Sequence, residues 1–288
     1  MIEISPASDP GKAGSPASAS HNLMVRIVSA AVLAPAAIVV AWFGDWPFAL
    51  FWGGAAIAVL WEWHNLVVGP RFPWMLSSSA VAMATAALLD WRHRPVVAIL
   101  LIVLGAFAAA IFAPRERRLW ASAGVLYAGC MLLAPIMLRA DGEFGLTAIL
   151  LLFAVVWSTD IFAYFFGRAI GGPKLAPAIS PKKTWSGAIA GAAGAIAAAV
   201  AVAGYLGTFD KGTIAVVALV LSIMAQLGDL LESWVKRRFG AKDASHLIPG
   251  HGGVMDRLDG FWAAALAGCV IGVMRGGFDN AARGLLVW

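Results

Sequence analysis

The stretch SWVKRRFGAKDASHLIPGHGGVMDRLDG, Ser233 to Gly260, concentrates side chains suited to phosphate and metal chemistry. Asp256 and Asp259 lie three residues apart, so they share a face if a helix opens there, and paired hard oxygens suit Mg²⁺. Lys236, Arg237 and Lys242 bring cations able to neutralise a polyphosphate. Gly250, Gly252 and Gly253 bracket His251, a backbone permissive enough for a ligand to come close. A zinc site on His246 and His251 is disfavoured because no Cys is near. No Walker A sequence occurs anywhere, so a P-loop ATPase is not supported.

A second stretch, KLAPAISPKKTWSG, offers Lys174, Lys182 and Lys183 beside the hydroxyls of Ser180 and Thr184. Pro173, Pro177 and Pro181 restrict its backbone and so limit where the ammonium groups point. Two readings stand: phosphate recognition, or juxtamembrane lysines that face anionic lipid. Four acids, Glu62, Asp160, Asp229 and Glu232, fall within or at one end of apolar runs. An acid at mid-bilayer costs roughly 2.5–3.5 kcal/mol, so such residues face a polar cavity or a partner. Ser222, Gln226, Asp229 and Ser233 are spaced to share one helical face, with Glu232 beside it. Asp160, Tyr164 and Arg168 form a shorter stripe that leads into the lysine-rich loop. Interhelical hydrogen bonding is the rival explanation. It is preferred for Glu62, which neighbours His64 and Asn65, is balanced for Asp160, and is the weaker reading for Asp229.

Something apolar must position these groups. Of 288 residues, 61% are hydrophobic and 13% charged, and the mean hydropathy is +0.82. Most of the chain therefore does not face water. Nine apolar runs predict membrane-spanning helices near 23–43, 47–68, 73–90, 95–113, 119–138, 145–167, 185–206, 213–234 and 260–277. Tryptophans at the run ends suit the interface. This is an all-α, polytopic membrane protein. Residues 1–22, rich in Ser, Pro and Ala, read as a disordered cytoplasmic tail, and 23–288 as one transmembrane catalytic domain. The first run is too long for a signal segment, so it is expected to be retained. Cys130 and Cys269 each lie inside an apolar run and carry no metal or disulfide spacing. Sorted by side, all but six of the 21 Lys and Arg residues fall with the N-terminus; the six are Arg92, Arg94, Arg139, Lys211, Arg275 and Arg283. The positive-inside rule puts the N-terminus and both long loops, 168–184 and 235–259, in the cytoplasm.

With those residues in place, the pattern S-x-x-K-R-x4-K-D-x-S-x2-I-P-x-H-G-G-x-x-D-R-x-D, Ser233 to Asp259, resembles that of the phosphatidate cytidylyltransferases, or CDP-diglyceride synthases. Thr159–Asp160, Gly167–Arg168, SPKKTW at Ser180–Trp185, GDLLES at Gly228–Ser233 and WEW at Trp61–Trp63 extend the resemblance. Where the family commonly has Glu-Gly after SPKKTW, this chain has Ser186-Gly187. The resemblance implies that CTP and phosphatidate give CDP-diacylglycerol and pyrophosphate with Mg²⁺, for phospholipid biosynthesis in the cell's inner (plasma) membrane. It implies Asp229, Asp256 and Asp259 as metal ligands. Lys182, Lys183, Lys236 and Arg237 would grip phosphates, with His251 at the catalytic loop. Asp160, Arg168, Lys174, Ser180, Thr184, Ser233, Lys242, Gly252, Gly253 and Arg257 would line the substrates.

Three rivals are carried beside this reading: a CTP-dependent lipid kinase, a cytidylyltransferase for ether lipids, and a transporter. A transporter predicts polar stripes that continue to the far face. No nucleic-acid partner is expected, and a homodimer is compatible with the reading.

Overall fold

The computed structural model describes residues 31–69, 73–207, 210–248 and 252–288. The expected tail over 1–22, the start of the first apolar run, Arg71 and His251 lie outside the described residues. The apolar runs fold as helices close to the expected bounds: α1 Ala31–Phe43, α2 Asp45–Val67, α3 Pro73–Trp91, α4 Pro95–Phe112, α5 Arg118–Arg139, α6 Gly145–Ile170, α7 Trp185–Leu206, α8 Lys211–Arg238 and α9 Met255–Gly276. A short α10, Ala281–Leu286, follows. By length and composition, six described segments can cross a membrane: α4, Arg115–Arg139 (which contains α5), and α6 to α9. The molecule is thus an all-α membrane bundle.

Two departures bear on the site. The loop over 168–184 contains an antiparallel hairpin, β1 (Lys174–Ala176) and β2 (Ser180–Thr184). A five-residue strand holding Pro181 and two lysines gives no apolar alternation, so it reads as loop in sequence. Helix α9 also begins five residues earlier than its apolar run, because the polar DRLD segment forms its first turn.

Helix α5 is the hub. Its most apolar window is 78% buried against 22% for α4, and it packs on α2, α3, α4, α6 and α9. Small residues set the remaining spacings. A methyl group on Gly187 would stand 2.7 Å from Ala163 O, and one on Gly191 2.8 Å from Thr159 O, so α6 and α7 touch backbone to backbone. Gly228 does the same for α8 and α9: its methyl would lie 2.5 Å from Asp259 O. Such close approach is what small residues give helices in lipid, where no hydrophobic force drives them together.

Candidate active site

The polar face of α8 divides in two. Ser222 is buried and its hydroxyl lies 2.8 Å from that of Thr159 on α6, while Gln226 Nε2 donates to Ala188 O on α7 at 3.3 Å. These two residues satisfy the interhelical reading. One turn past Gln226, Asp229 faces open space that Gln226 also borders; Ser233, a further turn on, does not line that space, and its Oγ donates to Asp229 Oδ1 at 3.4 Å.

That space is a cavity of about 640 Å³ between the ends of α6, α7 and α8, with the hairpin as one wall. The size is typical of small-molecule sites. Its lining includes Asp160, Tyr164 and Arg168 from α6, Lys174, Lys182, Lys183 and Thr184 from the hairpin, and Asp229. The α6 stripe and the lysine loop therefore do converge. Thr184 also serves as the N-cap of α7, accepting from Gly187 N at 3.2 Å, so the hairpin is fastened where the helix starts. Ser186 donates to Gly171 O, which ties α7 to the turn that leaves α6. Ser180 lies at the far end of β2, opposite Ala176, and does not line the cavity.

Lys183 forms an ion pair with Asp229. Behind it, carboxylate oxygens of Asp229, Glu232 and Asp259 all lie within 4.8 Å of one another. The expected partner of Asp229 across α8 and α9 is Asp256, and here the geometry differs. Asp256 sits in the first turn of α9. Its Oδ2 accepts from Ala244 N at 2.9 Å and Gly253 N at 2.7 Å, and its Oδ1 from Lys236 Nζ at 2.5 Å. Asp259, one turn deeper, is the α9 carboxylate that reaches Asp229. The close Gly228 contact sets that depth.

Lys236 also pairs with Glu232 at 2.7 Å, so it bridges the acid cluster and Asp256. Gly252 and Gly253 serve close approach to these acids: a methyl on Gly252, which has φ +85°, would stand 2.8 Å from Asp256 Oδ2, and one on Gly253 2.5 Å from Glu62 Oε1. Arg237 donates to Ala241 O at 3.1 Å at the loop surface, and Lys242 is exposed. Arg257 is exposed on the first turn of α9 and is not among the residues that line the cavity.

Glu62 is the residue that sequence reasoning undervalued. Fully buried at the end of α2, it accepts from Ser245 Oγ at 2.6 Å, Val254 N at 2.8 Å and Met255 N at 2.7 Å. It thereby caps α9 from another helix, satisfying donors that the helix start leaves orphaned. The signal was an acid inside an apolar run together with the WEW context. Its partners lie too far along the chain for spacing to reveal.

Residues 24–273 match the model of the "Cytidylyltransferase family". Proteins named phosphatidate cytidylyltransferase from Brucella abortus biovar 1 (strain 9-941) and Brucella suis biovar 1 (strain 1330) are each 46% identical over 245 residues, covering 85% of this chain and 91% of theirs. One of the same name from Rickettsia bellii (strain RML369-C) is 46% identical over 118 residues, 38% of this chain and 51% of its own.

Proposed function

Since the chain belongs to the cytidylyltransferase family, we propose that it is a phosphatidate cytidylyltransferase, joining CTP and phosphatidate into CDP-diacylglycerol with release of pyrophosphate. The observation that carries this reading is the acid cluster Asp229–Glu232–Asp259 set against a lysine-lined cavity at one end of an apolar helical bundle. A phosphate oxygen of the lipid attacks the α-phosphorus of CTP, the new P–O bond forms, and the bond to the β-phosphate oxygen breaks. Such transfers need positioning and charge neutralisation more than covalent help.

The donor set fits Mg²⁺: three carboxylates within reach, all hard oxygen, and Glu232 Oε1 buried without a hydrogen-bond partner among the described residues. Asp229 and Asp259, with Glu232 adjoining, would hold the ion. Bound there, it would neutralise charge on the CTP phosphates as pyrophosphate departs. Lys182 and Lys183 grip phosphate oxygens from the hairpin, and Arg168 and Lys174 extend the cationic wall. Lys236 holds Glu232 and Asp256 in place through its two ion pairs, while Asp256 and Glu62 together hold the loop that leads into α9.

Helix α8 is purely apolar from Ile214 to Leu221, so its polar face stops at Ser222; that favours a one-sided enzyme site over a conduction path. The same reading has nine spans, with the N-terminus and both catalytic loops in the cytoplasm of an inner-membrane protein. There CTP arrives from water while the lipid stays in the bilayer.

The test uses purified protein in detergent with CTP and phosphatidate. CDP-lipid and pyrophosphate in equal amounts are expected. CDP release with a newly phosphorylated lipid would replace the proposal by a kinase.

A further inference from the structure

At the end of the bundle away from the acid cluster, two cavities meet at Trp91. One, of about 280 Å³, is lined by Asp45, His93 and Arg139 with aromatic walls. The other, of about 330 Å³, is an apolar groove between α2 and α3, bordered by Leu50, Ile57 and Leu88 and floored in part by Gly53 and Gly54. Neither belongs to the catalytic cavity, which lies at the C-terminal ends of α6 and α8; Arg139 ends α5 and Trp91 ends α3.

Arg139 is fixed in position. Its Nε donates to Ala41 O at 2.7 Å and one terminal nitrogen to Trp42 O at 3.2 Å, so it caps α1. Among the described residues it forms no ion pair. Asp45 stands in the same cavity, exposed and accepting from the Trp91 indole. Trp42 and Trp46 beside it are 70% and 58% exposed, as indoles are at the depth of lipid headgroups. A cation and an anion thus share one pocket at interface depth, and an apolar trough leaves that pocket along two helices.

We propose that this composite site binds a zwitterionic phospholipid bearing a primary amine. Its phosphate meets Arg139, its ammonium meets Asp45, and an acyl chain lies in the α2–α3 groove. A headgroup with net negative charge is disfavoured, because Asp45 repels what Arg139 attracts. Charge-assisted hydrogen bonds to phosphate give the head its specificity. The groove adds apolar contact where the chain has omitted side chains at Gly53 and Gly54.

Gly54 supplies a clean probe: a methyl group there would meet nothing within 4 Å, so Gly54→Leu fills the groove without a clash at its base. Ala84→Leu on the facing helix does so from the other wall. The protein is exchanged into mixed phosphatidylethanolamine and phosphatidylglycerol, and retained lipids are counted by native mass spectrometry. The unsubstituted chain is expected to retain one phosphatidylethanolamine, at least tenfold over phosphatidylglycerol. Both groove-filling variants lose that lipid, and Arg139→Gln loses the headgroup preference. CDP-lipid synthesis by Gly54→Leu and Ala84→Leu stays near normal, which also reports that they fold. Equal retention of the two lipids would overturn the proposal. So would undiminished retention in both groove variants, or a change of oligomeric mass in their place, which would make the groove a contact between copies of the chain.

Discussion

At Asp229 several influences converge: the Lys183 ammonium, the Ser233 hydroxyl, and the carboxylates of Glu232 and Asp259. Carboxylates this close stay ionised together only with a cation among them. Asp229→Asn and Asp259→Asn are each expected to nearly abolish turnover and to shift the Mg²⁺ dependence of CDP-lipid formation. The double variant should cost little more than either single one, because groups acting as a unit are non-additive. Asp256→Asn should instead lower the rate with the Mg²⁺ midpoint unchanged, since its oxygens serve Lys236 and two backbone amides. Equal Mg²⁺ shifts for Asp256 and Asp259 would return Asp256 to the metal site. For Lys182→Ala with Lys183→Ala, losing charge-assisted hydrogen bonds at about 1.5–3 kcal/mol each predicts a fall in kcat/KM of at least about a hundredfold with insertion intact. Unchanged kinetic constants would return both lysines to the lipid-surface role. The polar stripe of α8 was legible from spacing alone. That Asp259 rather than Asp256 comes within reach of Asp229 was not, because it depends on how deep α9 slides along α8, which the Gly228 contact fixes and helical periodicity does not report.

Among elements, the described loop segments 239–248 and 252–254 are held by two acids from opposite directions, Asp256 from the downstream helix and Glu62 from α2. Glu62→Ala leaves the amides of half-buried Val254 and buried Met255 unpaired, at about 1–3 kcal/mol apiece. Hydrogen exchange over 244–256 should accelerate and turnover should drop, with α2 and α5 as protected as before. Unaltered exchange in that segment would mean that Glu62 does not seat the loop. The α6–α7 pair is equally specific: Gly191→Leu drives a side chain into Thr159 O and should destabilise the pair by about 1–3 kcal/mol, read as a lower melting temperature of activity. Helix positions were readable because apolar runs and their flanks carry them directly. The hairpin was not, since its strands are too short and polar to leave a pattern. Nor was Glu62, whose role exists only once α2 and α9 are neighbours.

For the whole molecule, the proposed topology has the loops over 168–184 and 235–259 on one side of the membrane, as the basic bias suggests. Single cysteines at Ala178 and Ala244, in a chain lacking Cys130 and Cys269, should resist an impermeant thiol reagent applied to intact cells and react after lysis. Labelling of either from outside would reverse the topology. The long reach of Glu62 also bears on how the protein is made. Its backbone partner Val254 follows 192 residues later, and Ser245 scarcely sooner. At roughly 5–20 residues per second, the ribosome leaves this carboxylate without its native partners for about 10–40 s. Its place about 7.5 Å from the end of α2 keeps it within reach of interfacial water during that interval. A nascent chain halted before residue 240 should therefore hold α2 less firmly in the membrane than the finished protein does, and Glu62→Gln should erase the difference.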